Sequence, residues 1–320
     1  MPGGLPDSAR CGALSSHPHR FRSRLLLRRD TLIAVSLVTI RLAKPEDAAA
    51  SARICYDAFY KINTDHGFPP DLASAEHAEG LMSTMFVHPG FYCVVAEEDG
   101  RVVGSNCMDE RSPIAGIGPI TVDPTAQNRG AGRKLMQAVM DRAEEREFPG
   151  VRLVQAAFHT RSLSLYSTLG FDAREPLSVM QGPAIKKTFE GYSVRPAAVE
   201  DLDACNRVCI KVHGHHRGGD LADSIAQGSA AVVERHGRIT AYSSNLAFFG
   251  HTVAETNLDL QALIAAADGF GGPGILVPTR NAELFRWCLA NGLRVVEPMT
   301  LMTTGLYNEP TGAYLPSILY

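Results

Sequence analysis

The residues best placed to do chemistry lie in one stretch, Gln127-Asn-Arg-Gly-Ala-Gly132-Arg133, directly behind Ile120-Thr-Val-Asp-Pro124. An apolar run stops at a proline and a glycine-spaced turn follows. Leu135, Met136, Val139, Met140 and Ala143 then recur at three- and four-residue spacing, which predicts a helix with one apolar face. Gly130, Ala131 and Gly132 leave little side chain at the helix mouth, so a ligand can approach the backbone. Free first-turn N–H groups and the positive end of the helix dipole favour an anion such as a pyrophosphate there. Arg129 and Arg133 add positive charge beside it. A Walker loop is excluded, because Gly132 is followed by Arg133-Lys134-Leu135 where Gly-Lys-Ser/Thr is needed. A dinucleotide fingerprint is excluded because Leu135 stands where a third glycine is required.

Other residues of reactive type lie elsewhere in the chain. Tyr166 sits in Leu163-Ser-Leu-Tyr-Ser-Thr-Leu-Gly170-Phe171, a short helix ending at a glycine. Asp109-Glu110-Arg111 closes a strand and reads either as a source of a general base or as a solvated turn with a local ion pair. His88, before Pro89, is a further candidate base or a structural histidine. Val212-His-Gly-His-His-Arg-Gly-Gly-Asp220 offers His213, His215, His216 and Asp220 as metal-ligand types. Their spacing matches no zinc pattern, so no metal is expected; the cluster could instead line an acceptor site.

The strand ending Val-Asp-Pro, then Gln-x-x-Gly-x-Gly and an amphipathic helix, resembles the acyl-CoA motif of the GNAT superfamily of N-acetyltransferases. Leu165-Tyr-Ser-Thr-Leu-Gly-Phe171 resembles that family's second signature. The resemblance covers about residues 37–182. It implies acetyl-CoA as co-substrate, held by Ile120, Thr121, Val122, Gln127, Asn128, Arg129, Gly130, Ala131, Gly132 and Arg133. It implies Tyr166 as the acid that protonates the departing thiolate, and Glu110, then Asp109, as base. Where the family usually has an asparagine seven residues before the tyrosine, this chain has His159, assigned to the same cofactor site. The expected activity is acetyl transfer to a primary amine, most simply on a small molecule, by direct attack on the thioester. A non-catalytic acyl-CoA or metabolite sensor is the alternative, and a protein amino terminus or lysine is a third kind of acceptor.

Around these residues the coarse pattern places a strand near 36–42, helices after Asp47 and from about Leu72, and two strands joined at Asp99-Gly100. The cradle strand and helix, a strand at 151–157, the Tyr166 helix and a strand near 175–181 complete the unit. The plan then recurs. Thr39-Ile-Arg-Leu-Ala-Lys-Pro-Glu-Asp47 aligns with Ser193-Val-Arg-Pro-Ala-Ala-Val-Glu-Asp201, and Val94–Val103 aligns with Val232–Thr240. Pro149-Gly150 aligns with Pro273-Gly274, and Leu165–Phe171 with Trp287–Leu293. In the second copy Phe249–Asn257 lacks a Gly-x-Gly turn and Cys288 replaces Tyr166, while Asn281 restores the family's asparagine. The copy is expected to shape the acceptor pocket instead of catalysing.

The expected fold is thus α/β (α+β): two GNAT-like domains, each a mixed, mostly antiparallel sheet flanked by helices. Residues 36–185 form the catalytic domain, 190–308 the degenerate one and 309–320 a tail that docks on a domain or a partner. Residues 1–35, arginine-rich from Arg10 to Arg29, read as a disordered or mis-called extension, with a targeting peptide as the alternative. The chain's 320 residues suffice for two cores, and a net charge of −3 gives no reason to expect nucleic acid. Seven scattered cysteines without a Cys-x-x-Cys pair fit reduced thiols in a cytoplasm, and no apolar run is long enough for a membrane.

Overall fold

The computed structural model describes residues 38–319. The extension read over 1–35 lies outside the described residues. The first half runs β1 (Thr39–Leu42), α1 (Ala48–Asp65), α2 (Ala75–Val87), β2 (Phe91–Glu98), β3 (Arg101–Asp109), β4 (Ala115–Ile117) and β5 (Thr121–Val122). It continues with α3 (Ala131–Glu145), β6 (Gly150–Ala156), α4 (Thr160–Thr168) and β7 (Asp172–Gln181). The second half repeats it as β8 (Ser193–Pro196), α5 (Leu202–His213), α6 (Gly218–Ala226), β9 (Ala231–Arg235), β10 (Arg238–Ser243) and β11 (Thr252–Ala254). Then come α7 (Asn257–Ala266), β12 (Ile275–Pro278), α8 (Ala282–Ala290), β13 (Arg294–Gly305) and β14 (Ala313–Leu315).

The repetition extends to side chains. Arg41 clamps Asp47 and Glu97, and Arg195 clamps Asp201 and Glu234, each arginine reaching from the first strand of its half to a short helical turn and the neighbouring strand. Apolar faces set the layers. Leu135, Met136, Val139 and Ala143 of α3 are buried against Val94, Val103, Ile117 and Leu153 of the first sheet. Leu260, Leu263 and Ile264 of α7 pack with Val233, Ala241 and Val277 in the second half.

Mixed sheets flanked by helices match the expected class, but the strands are shared between the halves. One sheet has the order β1-β2-β3-β4-β6-β13-β7-β12, with β5 also on β3; the other is β14-β11-β10-β9-β8. β13, from the second half, lies antiparallel between β6 and β7 of the first, and β7 in turn lies between β13 and β12 of the second. Hydrophobic alternation announces strands and which face each buries, but says nothing of which strand becomes the neighbour.

The strand expected at 119–123 is split. β4 pairs parallel with β6 as far as Ile117↔Leu153, and beyond Gly118-Pro119 the chain continues as β5 on β3 alone (Gly104↔Val122, Ser105↔Thr121). β5 and β6 therefore diverge, and one backbone edge of Ile120–Val122 faces the wedge between them.

Candidate acyl-CoA site

The wedge opens into a cavity of about 320 Å³. Ile120, Thr121, Val122 and Gln127 line one wall, and Val154, Gln155, His159, Arg161 and Tyr166 line the other. The amino end of α3 lies next to Val122, although the cavity lining reaches only Gln127 and includes none of Asn128–Arg133. Its N-cap, Gly130, has φ 86°, a left-handed conformation that costs glycine little, and no side chain caps the first turn. The first-turn N–H groups, which have no partner within a helix, are thus left for an anion. Asn128 is left-handed too, at φ 68°. Arg161 fixes this turn, donating to Gln127 Oε1 at 3.0 Å and Asn128 Oδ1 at 2.9 Å, while Gln127 Nε2 donates to the Val122 carbonyl at 3.2 Å. Arg161 went unnoticed in the sequence because its role spans two separate segments.

The two cradle arginines are held from the side. Arg129 pairs with Glu98 at 3.1 Å, and Arg133 donates to Thr168 Oγ1 at 3.1 Å. Gly132 has ordinary space around it: a Cβ there would stand 3.8 Å from Leu165 and Val122.

Tyr166 lines the cavity and packs edge-on against Phe171. Burial pushes its phenol well above the ordinary range, so it keeps its proton. Burial, helped by Arg161 and His66, lowers the His159 imidazole, which favours the neutral ring. His159 forms the N-cap of α4 without a side-chain cap bond.

Asp109 and Glu110 are placed differently. Arg111 binds Asp109 at 2.5 Å and reaches Asp223 at 2.7 Å, and Arg142 binds Glu110 at 2.8 Å. Neither carboxylate is among the residues lining the cavity. His88 is paired with Asp223 at 3.3 Å, away from the cavity as well. The ion-pair reading of Asp109-Glu110-Arg111 is the one the geometry favours.

The histidine segment also lies apart. His213 meets the Tyr314 ring edge-on at 5.1 Å, and Asp220 is taken by His251 at 2.9 Å and Arg217 at 2.7 Å. None of His213, His215, His216 or Asp220 lines the cavity. Among the described residues no group of three or more His, Cys, Asp or Glu is arranged to hold a metal ion.

The equivalent cleft of the second half is built differently: a cavity of about 460 Å³ lies there, lined by Thr256, Asn257, Asn281 and tail residues 309–314. Thr256 caps α7 by accepting from the Asp259 N–H, and the Asp259 carboxylate binds the Thr256 and Thr240 hydroxyls. A buried carboxylate thus stands at the helix end where α3 has an uncapped glycine. Tail strand β14 pairs with the edge of β11 (Thr252↔Leu315 to Ala254↔Ala313), the edge corresponding to the open side of β5. Asn281 spends its side chain capping α8 through the Leu284 N–H. The second half instead contributes Phe248, Phe249, Met299, Ile318 and Leu319 to the cavity of the first.

Residues 56–171 match the sequence profile of the Acetyltransferase (GNAT) family. A mycothiol acetyltransferase of Thermomonospora curvata is 35% identical over 136 residues, 42% of this chain and 44% of that protein. One from Nocardia farcinica is 38% identical over 63 residues, 20% of this chain and 21% of that protein. The chain therefore matches less than half the length of these curated relatives. Among solved structures, a putative acetyltransferase of Pyrococcus horikoshii superposes with a TM-score of 0.66 at 19% identity, over 86% of this chain and 94% of that one. A tandem GNAT protein from the clavulanic acid biosynthesis pathway gives 0.50 at 11% identity, over 84% and 98%. Among the described residues no helix is long and apolar enough to cross a membrane. Residues 56–171 thus match the Acetyltransferase (GNAT) family, and the chain shares the fold of a tandem GNAT protein.

Proposed function

We propose that the protein is an acetyl-CoA-dependent N-acetyltransferase whose donor site lies in the first half. The observation that carries this reading is the uncapped amino end of α3 beside the open edge of β5, with Tyr166 across the same cavity. The pyrophosphate would sit on the N–H groups from Asn128 to Arg133. The pantetheine arm would lie along Ile120–Val122, whose backbone N–H groups can also steady the oxyanion that forms when an amine attacks the thioester carbonyl. Tyr166, holding its proton, would supply it to the leaving thiolate. Co-localising the two reactants provides much of the acceleration. The acceptor is a primary amine reached through the cavity that the second half helps to wall.

The test is calorimetric titration of acetyl-CoA into wild-type protein and into Gly132→Glu, whose Cβ would meet only ordinary contacts at 3.8 Å and which brings a negative charge to the proposed anion site. Micromolar binding at one site, weakened about tenfold or more in the variant, supports the reading. Binding at two sites would restore the second half as a donor site, and no binding to wild type would refute the assignment.

A further inference from the structure

Acetyl transfer needs a base for the acceptor's ammonium, and Asp109 and Glu110 are spent in ion pairs. The cavity wall offers another carboxyl. Asp71 lines the cavity from the loop between α1 and α2. Phe68 of the same loop stacks on Phe158 at 4.4 Å, which ties the loop to the start of α4. Beside Asp71 lies Glu297 of β13, fully buried. β13 has an extra residue here, Val295 pairing with Met180 and Glu297 with the adjacent Val179. The bulge resets the alternation and puts Glu297 on the face of Met299, which also lines the cavity.

Asn63, fully buried on α1, joins the two acids. Its Nδ2 donates to Asp71 Oδ1 at 2.9 Å and to the Pro69 carbonyl at 2.8 Å, with Glu297 Oε2 at 3.5 Å. Its Oδ1 has no donor in the protein, which leaves a buried acceptor unsatisfied beside the two acids. The two carboxyls meet on the same Asn63 Nδ2, which makes them close neighbours in a buried site. Burial and the Asp71 charge push Glu297 to about 9, and burial raises Asp71 as well. Two like charges this close in a buried site favour one proton held between the pair. The other titratable groups around it are Cys55 and His66, the mutually paired Lys61 and Asp65 on α1, and His159, Arg161 and Tyr166 across the cavity. Phe59, Leu81, Phe248, Phe249 and Leu319 make much of the remaining wall apolar.

We propose that Asp71 is the general base of the reaction, that Glu297 is its positioning residue, and that the acceptor is a primary amine on an apolar or aromatic body. This rests on the acetyl-transfer reading above. Asp71 takes one proton from the ammonium and passes it to solvent. The freed amine forms the C–N bond as the C–S bond breaks. Tyr166 gives a proton to the sulfur and regains one from the nitrogen, leaving the amide, free thiol and one proton in water. The second half of the chain thus reaches the chemistry through a strand that it lends to the first.

The experiment uses the full chain with acetyl-CoA and 2-phenylethylamine, and 2-phenylethanol as the uncharged control. Infrared spectra in D2O should show a protonated-carboxyl carbonyl band at neutral pH in wild type, absent from Glu297→Gln. The amine should shift that band and the alcohol should not. Asp71→Asn should lower kcat by about 100-fold or more with acetyl-CoA affinity unchanged. In Glu297→Gln, which has no proton to lose, the alkaline limb of the kcat/KM profile should disappear while the acid limb stays near its wild-type pH. A merely structural role would move neither limb. A wild type without the band, a band indifferent to the amine, or full turnover in Asp71→Asn would overturn the proposal. Intact acetyl-CoA binding in those cases would leave the transferase reading standing, whereas loss of binding in wild type would refute that reading by itself.

Discussion

Tyr166 has two properties that pull in different directions for an acid catalyst. Burial makes its phenol a weak acid, yet the group it must protonate is a thiolate, and the same burial guarantees that the proton is present whenever the thiolate forms. Tyr166→Phe removes the hydroxyl and keeps the ring packed on Phe171. Thermal stability and acetyl-CoA affinity should hardly change, while kcat falls by about 10- to 100-fold, read from release of free thiol. Because the phenol is pushed up, Tyr166 adds no alkaline limb to the wild-type pH profile below its ordinary pKa of about 10. An unchanged kcat would remove Tyr166 from the chemistry. This residue was legible in the sequence because its neighbours are local: a leucine before it and Gly170-Phe171 behind. Glu297 was not, because its partners, Asn63 and Asp71, lie more than two hundred positions away and a one-residue bulge decides which way it faces.

The elements around the site show a similar division. The cradle depends on one turn and one helix end, where backbone conformation follows residue type, so Gly130 and Gly132 could be read directly. The wedge depends on where one strand stops pairing with β6, which no local pattern encodes. Gly104 of β3 is what lets β5 lie close: a Cβ there would stand 2.6 Å from the Thr121 carbonyl and 3.2 Å from Leu135. Gly104→Ala must therefore push β5 off β3 or shift α3. The expected cost is about 1–3 kcal/mol of stability by denaturant unfolding, with weaker acetyl-CoA binding, because the displaced strand is the one along which the donor would lie. If stability falls while affinity holds, the open edge of β5 is not the donor's track.

At the scale of the molecule, duplication has produced two halves that cannot be separated at the segment joining them. Without β13, β6 and β7 would face each other across an empty strand position, and the apolar side chains of Leu153, Leu177 and Val179 would lose Met299, Leu301 and Met302. A second tie lies on the far side, where Arg111 of the first half reaches Asp220 and Asp223 of α6. That arginine is largely shielded, and leaving the carboxylates without it would be costly. Sequence repetition marks a joint between residues 185 and 190, whereas hydrogen bonding makes the sheet continuous across it. Two consequences follow for unfolding. The full chain should melt in a single transition, with calorimetric and van't Hoff enthalpies in agreement. A fragment ending near residue 190 should aggregate, or stay collapsed without fixed near-ultraviolet dichroism, since it retains the cradle sequence but not the strand that completes its sheet. A soluble, cooperatively folding fragment would show instead that β6 and β7 can close on each other, and the strand exchange would then be dispensable for the donor site.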